Sequence, residues 1–142
     1  MLTVKPKHYN LNMGKKRIHI LEDDQEIRNV IEILLSDEGF ELQLSSSFAE
    51  LKKNIQDAMP DLFLLDVMLP DGNGAEICED LKTDIFTKHI PIIVMSAQNN
   101  SEQKAIDAFA DDYISKPFDI DDVLKRINVQ LQKSADSSVI KS

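Results

Sequence analysis

Five polar side chains each come at the end of a short apolar run, where a buried strand would stop. They are Glu22, Asp23, Asp66, Ser96 and Lys116. Carboxylate oxygens are ligands that Mg²⁺ accepts, whereas an ammonium and a hydroxyl can bind the charged oxygens of a phosphoryl group. A carboxylate can also act as a nucleophile and form an aspartyl phosphate. Together these residue types predict phosphoryl chemistry assisted by a metal ion.

Asp66 is the candidate nucleophile, because it follows the apolar run 62–65 and precedes a turn rich in proline and glycine. Glu22 and Asp23 are candidate metal ligands, and the backbone carbonyl of Met68 could complete the shell. Three carboxylates at one site repel one another, so the pKa of one of them should rise unless a cation lies between them. Taken alone, Asp66 could equally be the cap of a turn or a helix, and only the combination favours chemistry.

Strands and helices alternate along the chain. Short apolar runs predict strands at 17–21, 40–44, 62–65, 90–95 and 113–115. Caps and apolar spacings of three and four residues predict helices at 25–38, 47–58, 75–82, within 101–109, and from a cap at Asp119 to Leu131. Such alternation is typical of a parallel sheet with helices on both faces, which binds ligands beyond the carboxyl ends of its strands.

Length and composition narrow the class of protein. At 142 residues the chain has room for one domain, which we place at 16–133 between an irregular leader (1–15) and a flexible tail (134–142). No apolar run approaches the roughly 20 residues that a membrane helix needs. The net charge of −9 argues against nucleic acid as the main partner, and a single cysteine, Cys78, is typical of the reducing cytoplasm.

Four motifs, in this order along the chain, give a resemblance to a known family. ILEDD, LLDVMLPDGNG, IIVMSA and DDYISKPF resemble the receiver domain of two-component response regulators, over roughly residues 17 to 132. The resemblance implies an α/β, flavodoxin-like, doubly wound fold similar to that of a chemotaxis receiver. Its five-stranded parallel sheet would have the strand order 2-1-3-4-5, with helices on both faces.

The resemblance also implies a role for each site residue. The family's Mg²⁺-binding pair matches Glu22 and Asp23, and the aspartate that accepts a phosphoryl group from a histidine matches Asp66. The residues matching Ser96 and Lys116 contact the phosphate. On activation, the hydroxyl residue moves inward and the aromatic residue matching Tyr113 changes rotamer. The peptide bond after the family's lysine is usually cis, so we expect the same after Lys116.

The resemblance implies a phosphorylated receiver, and the short tail after the last helix favours a stand-alone one. A fragment of a larger regulator is the alternative. A sensor histidine kinase or a histidine phosphotransfer protein would supply the phosphoryl group. The signal would pass by contact to an unknown output protein, and a phosphorylation-dependent dimer could form. Such a chain is not an enzyme, and neither nucleic acid nor a membrane is an expected partner.

Two alternatives to a phosphorylated receiver share some of these sequence features. The first is a Mg²⁺-dependent aspartyl-phosphate hydrolase, which also places an aspartate after a strand. Its usual second aspartate would fall at Met68, where there is no acid. The second is a receiver-like module that binds partners without phosphorylation, which the intact set of five polar residues opposes.

The chain departs from the family pattern between Ser96 and Lys116, where it is slightly short. Phe109 stands where the family has a glycine that ends the helix before the fifth strand. A left-handed conformation costs a phenylalanine roughly 1 kcal/mol, so we expect this helix to be short, shifted or poorly ordered. Met68 and Gln98, at positions that line the path of an attacking water, are not strong bases. Slow self-dephosphorylation is therefore expected.

Overall fold

The protein is built around one parallel β-sheet. The strands are β1 (Arg17–Leu21), β2 (Glu41–Ser45), β3 (Leu62–Asp66), β4 (Ile92–Ser96) and β5 (Asp112–Ser115), and their order is β2-β1-β3-β4-β5. The computed structural model describes residues 14–67, 69, 73–96 and 109–140. Its helices are α1 (Gln25–Asp37), α2 (Phe48–Asp57), α3 (Gly74–Thr83) and α4 (Ile120–Ile140). The predicted fold class and strand order are confirmed.

β3 and β4 lie inside the sheet, and all five residues of each strand are buried. Helices cover both faces of these strands, which explains why their sequences are continuous apolar runs rather than alternating ones. β2 is an edge strand and is mostly half-buried, in keeping with its alternating sequence ELQLS.

The helices cover the two faces of the sheet in pairs. α1 and α4 pack over one core, which includes Ile20, Ile31, Leu35, Leu64, Val123 and Ile127. α2 and α3 pack over the other, which includes Leu51, Ile55, Phe63, Ile77, Cys78 and Leu81. Successive residues of a strand point to opposite faces, so neighbouring residues of β3 serve different cores. Cys78 is fully buried and belongs to the second of these cores.

The ends of α1 and α2 follow signals that are visible in the sequence. Asp24 and Ser47 cap these helices by accepting hydrogen bonds from the backbone N–H of Ile27 and Glu50, at 3.1 and 3.2 Å. Gly39 follows α1 with a φ of 89°, a left-handed conformation that glycine adopts without a steric penalty.

α4 is longer than the sequence predicted. It begins after Asp119 as expected, and the Asp119 carboxylate accepts the backbone N–H of Asp121 at 2.9 Å. It then continues to Ile140, through residues expected to form a flexible tail. Once packing has nucleated a helix, each further residue adds a hydrogen bond at little cost, so weak helix formers such as serine can extend it. The domain limits at residues 16 and 133 remain predictions.

Some predictions concern residues outside the described ranges. They are the leader up to residue 13, Met68, Gln98 and the helix expected within 101–109. Phe109 is described; it is half-buried and packs against the core beneath α2 and α3. Within the described ranges, no helix combines the length and apolar character needed to cross a lipid bilayer.

His19 is buried in the middle of a chain of polar side chains, some of which are half-buried. Its Nδ1 is 3.1 Å from the Oε1 of Gln43, and its Nε2 is 2.8 Å from the Oγ of Ser45. Asn54 donates to the same Oγ at 2.9 Å, and Gln43 donates to the carbonyl of Ala58 at 2.8 Å. All these donors meet acceptors when His19 is neutral with its proton on Nδ1. Burial lowers the pKa of His19 to about 4, so it is a packed, neutral histidine.

The buried, neutral His19 should make the protein less stable as the solution is acidified. Unfolding restores a pKa near 6.5, so below that pH the unfolded state binds a proton that the folded state does not bind until about pH 4. His19 should therefore remove about 2 kcal/mol from the free energy of unfolding between pH 7 and pH 5.

Urea unfolding of wild type and His19→Gln at both pH values isolates this contribution, because the other titrating groups are common to the two proteins. Wild type should lose more stability than the variant on acidification. Equal losses in the two proteins would show that His19 does not carry the effect.

Candidate functional site

The carboxyl ends of β1, β3, β4 and β5 meet at one rim of the sheet. Glu22 directly follows β1, Asp66 and Ser96 are the last residues of β3 and β4, and Lys116 directly follows β5. Parallel strands point their carboxyl ends the same way, which is why Glu22 and Lys116 meet although they are 94 residues apart. The predicted rim is therefore formed.

Three carboxylates lie together at this rim. One oxygen from each of Glu22, Asp23 and Asp66 can be chosen so that all three lie within 4.8 Å of one another. Glu22 and Asp66 are buried, at 0% and 4% exposed, whereas Asp23 is exposed. Two of the clustered carboxylates are thus buried and the third is at the surface, so an ion could reach the cluster from solvent.

Lys116 supplies the positive charge between the two buried acids. Its Nζ is 2.6 Å from the Oε1 of Glu22 and 3.1 Å from the Oδ2 of Asp66. Burial lowers the pKa of Lys116, but the hydrogen bond to Glu22 and the charge of Asp66 outweigh it, so the pKa lies above its ordinary value. The ammonium is therefore charged at neutral pH, within reach of both carboxylates.

The pKa of Glu22 is raised by its position at the rim. Burial, followed by the neighbouring carboxyl group of Asp66, raises the pKa of Glu22 to about 7, against the opposing effect of Lys116. Three close carboxylates predicted one raised pKa, and the residue that carries it is Glu22. Without a further cation, this site holds more negative charge than Lys116 neutralises.

Ser96 and Tyr113 are connected through the main chain. Ser96 is fully buried, and its carbonyl oxygen accepts hydrogen bonds from the Lys116 backbone N–H at 3.1 Å and from the Tyr113 hydroxyl at 3.3 Å. The peptide bond between Lys116 and Pro117 is cis, as the resemblance implied. The residues expected to contact phosphate and to act as a switch are thus neighbours in the structure.

After Asp66, the backbone of Val67 lies very close to the start of α3. A Cβ atom on Gly74, the first residue of α3, would overlap the Val67 side chain and lie 2.8 Å from the Val67 carbonyl oxygen. Only glycine fits this position without a shift of the neighbouring chain. Asn73 caps α3 by accepting the backbone N–H of Ala75 at 2.9 Å. Met68, between Asp66 and this cap, is outside the described residues.

The donor set suits Mg²⁺. Hard carboxylate oxygens are the ligands this ion prefers, and it is held in proteins by one or two carboxylates together with waters. Glu22, Asp23 and Asp66 provide three such groups, one of them at the solvent surface. The excess negative charge at the rim is a second reason why a divalent cation fits there.

Two further contacts, one at the rim and one at the opposite edge of the sheet, were not predicted from the sequence. The Arg28 guanidinium donates to the Glu22 carbonyl at 2.7 Å, and Lys82 pairs with Asp111 at 2.6 Å beside the start of β4. A basic residue in the first turns of the helix that follows an acidic pair could have drawn attention to Arg28. The pairing of Lys82 with Asp111 joins distant segments and has no local signal.

A doubly wound parallel sheet with clustered carboxylates, a lysine and a serine at its carboxyl rim defines a receiver-type signalling domain. A family model described as the response regulator receiver domain matches residues 18–128, most of the chain. The chain belongs to this family, which confirms the resemblance. Domains of this family are signalling modules of two-component systems rather than typical enzymes.

Curated relatives are identical to this chain at about a third of the aligned positions. Response regulator ArlR from Staphylococcus epidermidis is 37% identical over 126 residues, which are 87% of this chain and 56% of that protein. The DNA-binding dual master transcriptional regulator RpaA from Synechocystis is 32% identical over 120 residues, which are 83% of this chain and 50% of that protein. The chain spans about half the length of the curated relatives it matches.

Solved receiver domains have the same fold. A CheY-like response regulator receiver domain protein from Methanospirillum hungatei aligns with a TM-score of 0.79 at 28% identity, covering 86% of this chain and 98% of that one. The receiver domain of a sensor histidine kinase from Pseudomonas aeruginosa, which has a magnesium ion coordinated in its active-site cleft, aligns with a TM-score of 0.76. That alignment covers 83% of this chain and 98% of the other at 20% identity, a likeness of fold alone.

The expectation that nucleic acid is not a partner needs correction. It rested on the net charge of −9. RpaA, half of whose length is matched by this chain, is a DNA-binding protein by name. The charge of one domain describes that domain's own surface and does not constrain what other parts of a longer protein bind.

Removal of Lys116 should destabilise the protein, and more strongly at high pH. Lys116→Met leaves the buried acids Glu22 and Asp66 without their shared cation. The free energy of unfolding at pH 8 should therefore fall by about 3 kcal/mol. The pKa of Glu22 is already raised to about 7, so below that pH this residue takes up a proton and the cost should shrink.

Urea unfolding without divalent cations at pH 8 and pH 5.5 measures both effects. The control is Lys125→Met, which removes an exposed lysine from α4 and should change stability little at either pH. A cost for Lys116→Met that is the same at both pH values would contradict the assignment of Glu22 as the titrating partner.

Proposed function

We propose that Asp66 accepts a phosphoryl group from a phosphohistidine and that the phosphorylated domain signals by protein contact. The observation that carries this proposal is the placement of the Lys116 ammonium 3.1 Å from the buried Asp66 carboxylate, within a cluster of acids suited to Mg²⁺. A buried carboxylate beside a fixed cation and a hydroxyl is arranged for a group whose oxygens carry negative charge.

In the proposed transfer, an oxygen of Asp66 attacks the phosphorus atom. A new O–P bond forms with an electron pair from the carboxylate, while the P–N bond breaks and its pair returns to the imidazole nitrogen of the donor. Lys116 contacts a phosphoryl oxygen and holds the nucleophile in position. Ser96 lies buried at the end of the adjacent strand, where its hydroxyl would donate to another phosphoryl oxygen.

The proposed cofactor is Mg²⁺, held by Glu22, Asp23 and Asp66, with the Met68 carbonyl as a further ligand. A bound Mg²⁺ would neutralise negative charge on the phosphoryl oxygens while the phosphoryl group passes from donor to acceptor. The protein's own part is to keep three carboxylates close together and to limit the access of water, since Glu22 and Asp66 are buried.

The proposed switch joins Ser96 to Tyr113. If the Ser96 hydroxyl is drawn to a phosphate on Asp66, the end of β4 must adjust. The Tyr113 hydroxyl already contacts the Ser96 carbonyl at 3.3 Å, so such an adjustment changes its hydrogen bond directly. A new position of Tyr113 would alter the surface around β5, where an output protein or a second copy of the chain could bind.

The proposed phosphoryl donor is a sensor histidine kinase or a histidine phosphotransfer protein in the cytoplasm. An apolar surface lies beside the rim, with Ile27 and Val30 of α1 facing the same cavity as Pro117 and Phe118. Val30 is 52% exposed and adds apolar area to this surface, which favours contact with a partner. This surface would allow the donor's histidine to be held over Asp66.

Acetyl phosphate tests the proposal without a cognate kinase. Wild type incubated with acetyl phosphate and Mg²⁺ should gain one phosphoryl group by intact mass, and chelation of Mg²⁺ with EDTA should prevent the gain. Asp66→Asn should show no adduct, because the amide is not a nucleophile of this kind. Asp37→Asn, a matched change at an exposed residue of α1, should be labelled like wild type.

The outcomes separate the proposal from its alternatives. No adduct on wild type would point to a module that works without phosphorylation. Continuous release of phosphate far beyond one equivalent would point to the hydrolase. Labelling of Asp66→Asn to the wild-type extent would show that Asp66 is not the acceptor.

A further inference from the structure

The Arg28 side chain makes an unexpected contact with the acidic rim. Its Nη1 donates to the backbone carbonyl of Glu22 at 2.7 Å, and this is its one hydrogen bond within the described ranges. Arg28 lies in the first part of α1, six residues after Glu22, so the guanidinium reaches back over the turn between β1 and α1. That turn carries two of the three clustered carboxylates.

Four hydrogen bonds hold Glu22, and one of them comes from Arg28. The Glu22 backbone N–H donates to the Ser45 carbonyl at 3.0 Å, at the end of β2. Its side chain accepts from Lys116 at 2.6 Å and from the Asp24 backbone N–H at 3.3 Å. The carbonyl is then held by Arg28. Of these four contacts, only the one from Arg28 is made to the peptide group that leads into Asp23.

We propose that Arg28 is a positioning residue for the divalent cation, a role that rests on the proposed function of the rim. By holding the Glu22 carbonyl, Arg28 fixes the direction in which Asp23 leaves the strand. Asp23 is the exposed member of the cluster and has the most freedom to turn away. Groups that orient metal ligands from behind often matter to affinity nearly as much as the ligands themselves.

The positive charge of Arg28 would weaken Mg²⁺ binding, whereas its positioning role would strengthen it. A guanidinium close to the acids repels a divalent cation, so if charge were its main effect, removal would tighten Mg²⁺ binding. If positioning is its main effect, removal must weaken Mg²⁺ binding. The sign of the change therefore distinguishes the two roles.

Titration with MgCl₂ at pH 7.5, followed by ¹⁵N–¹H NMR of the turn amides, measures the Kd of the full chain. Arg28→Met removes the donor and the charge at similar side-chain length, and its Kd should rise about tenfold. Arg28→Lys keeps the charge and can retain part of the contact, so its Kd should rise less. The control, Arg126→Met, removes an arginine whose partners are Asp112 and Asp122, and its Kd should equal that of wild type.

A second measurement separates positioning from a general loss of structure. At saturating Mg²⁺, acetyl phosphate should label Arg28→Met at close to the wild-type rate, whereas at low Mg²⁺ the rate should fall about in proportion to occupancy. A structural defect would lower the rate at both concentrations. If Arg28→Met does not give a folded spectrum, Arg28→Gln, which is neutral and shorter, replaces it under the same criterion.

An unchanged or lower Kd in the neutral Arg28 variant would overturn the positioning role, and would leave the proposed function intact if wild type is still labelled on Asp66. Failure of wild type to bind Mg²⁺ at all would overturn both.

Discussion

The shared contact of one ammonium with two buried carboxylates is the interaction on which the functional rim depends. Glu22 and Asp66 are withdrawn from water at 0% and 4% exposure, and Lys116 lies 2.6 and 3.1 Å from them. Acids this close would otherwise repel. Burial, followed by the neighbouring Asp66 carboxyl group, raises the pKa of Glu22 to about 7 in spite of Lys116. The remaining excess of negative charge is what prepares the rim for a cation.

The same strands build the core and the rim. β3 is buried throughout, and its last residue is Asp66, so the packing that holds Leu64 and Leu65 also fixes the carboxylate at the strand end. A group held by a packed strand loses little further freedom when it reacts, which is the physical advantage of placing chemistry at strand ends rather than on a free loop. Glycine at position 74 serves the same end, because α3 can begin directly against Val67.

Much of the fold and of the site follows from local sequence patterns. Apolar runs bounded by turns located all five strands, and the caps at Asp24 and Ser47 located two helix starts, because these signals depend on neighbouring residues only. The grouping of the acids with Lys116 then followed from topology, since parallel strands bring their carboxyl ends to one edge whatever their distance along the chain.

The tertiary structure decided what depends on contacts between distant elements. Which acid has the raised pKa was settled by burial, since Glu22 lies deeper than Asp23 although the two are adjacent in sequence. The polar chain through His19 and the length of α4 depend on packing that has no local signature. The residue types and order of the chain thus determined the architecture and which side chains meet at its rim. Three-dimensional packing alone decided the protonation, the orientation and the supporting contacts, because those arise from distances and desolvation rather than from residue type.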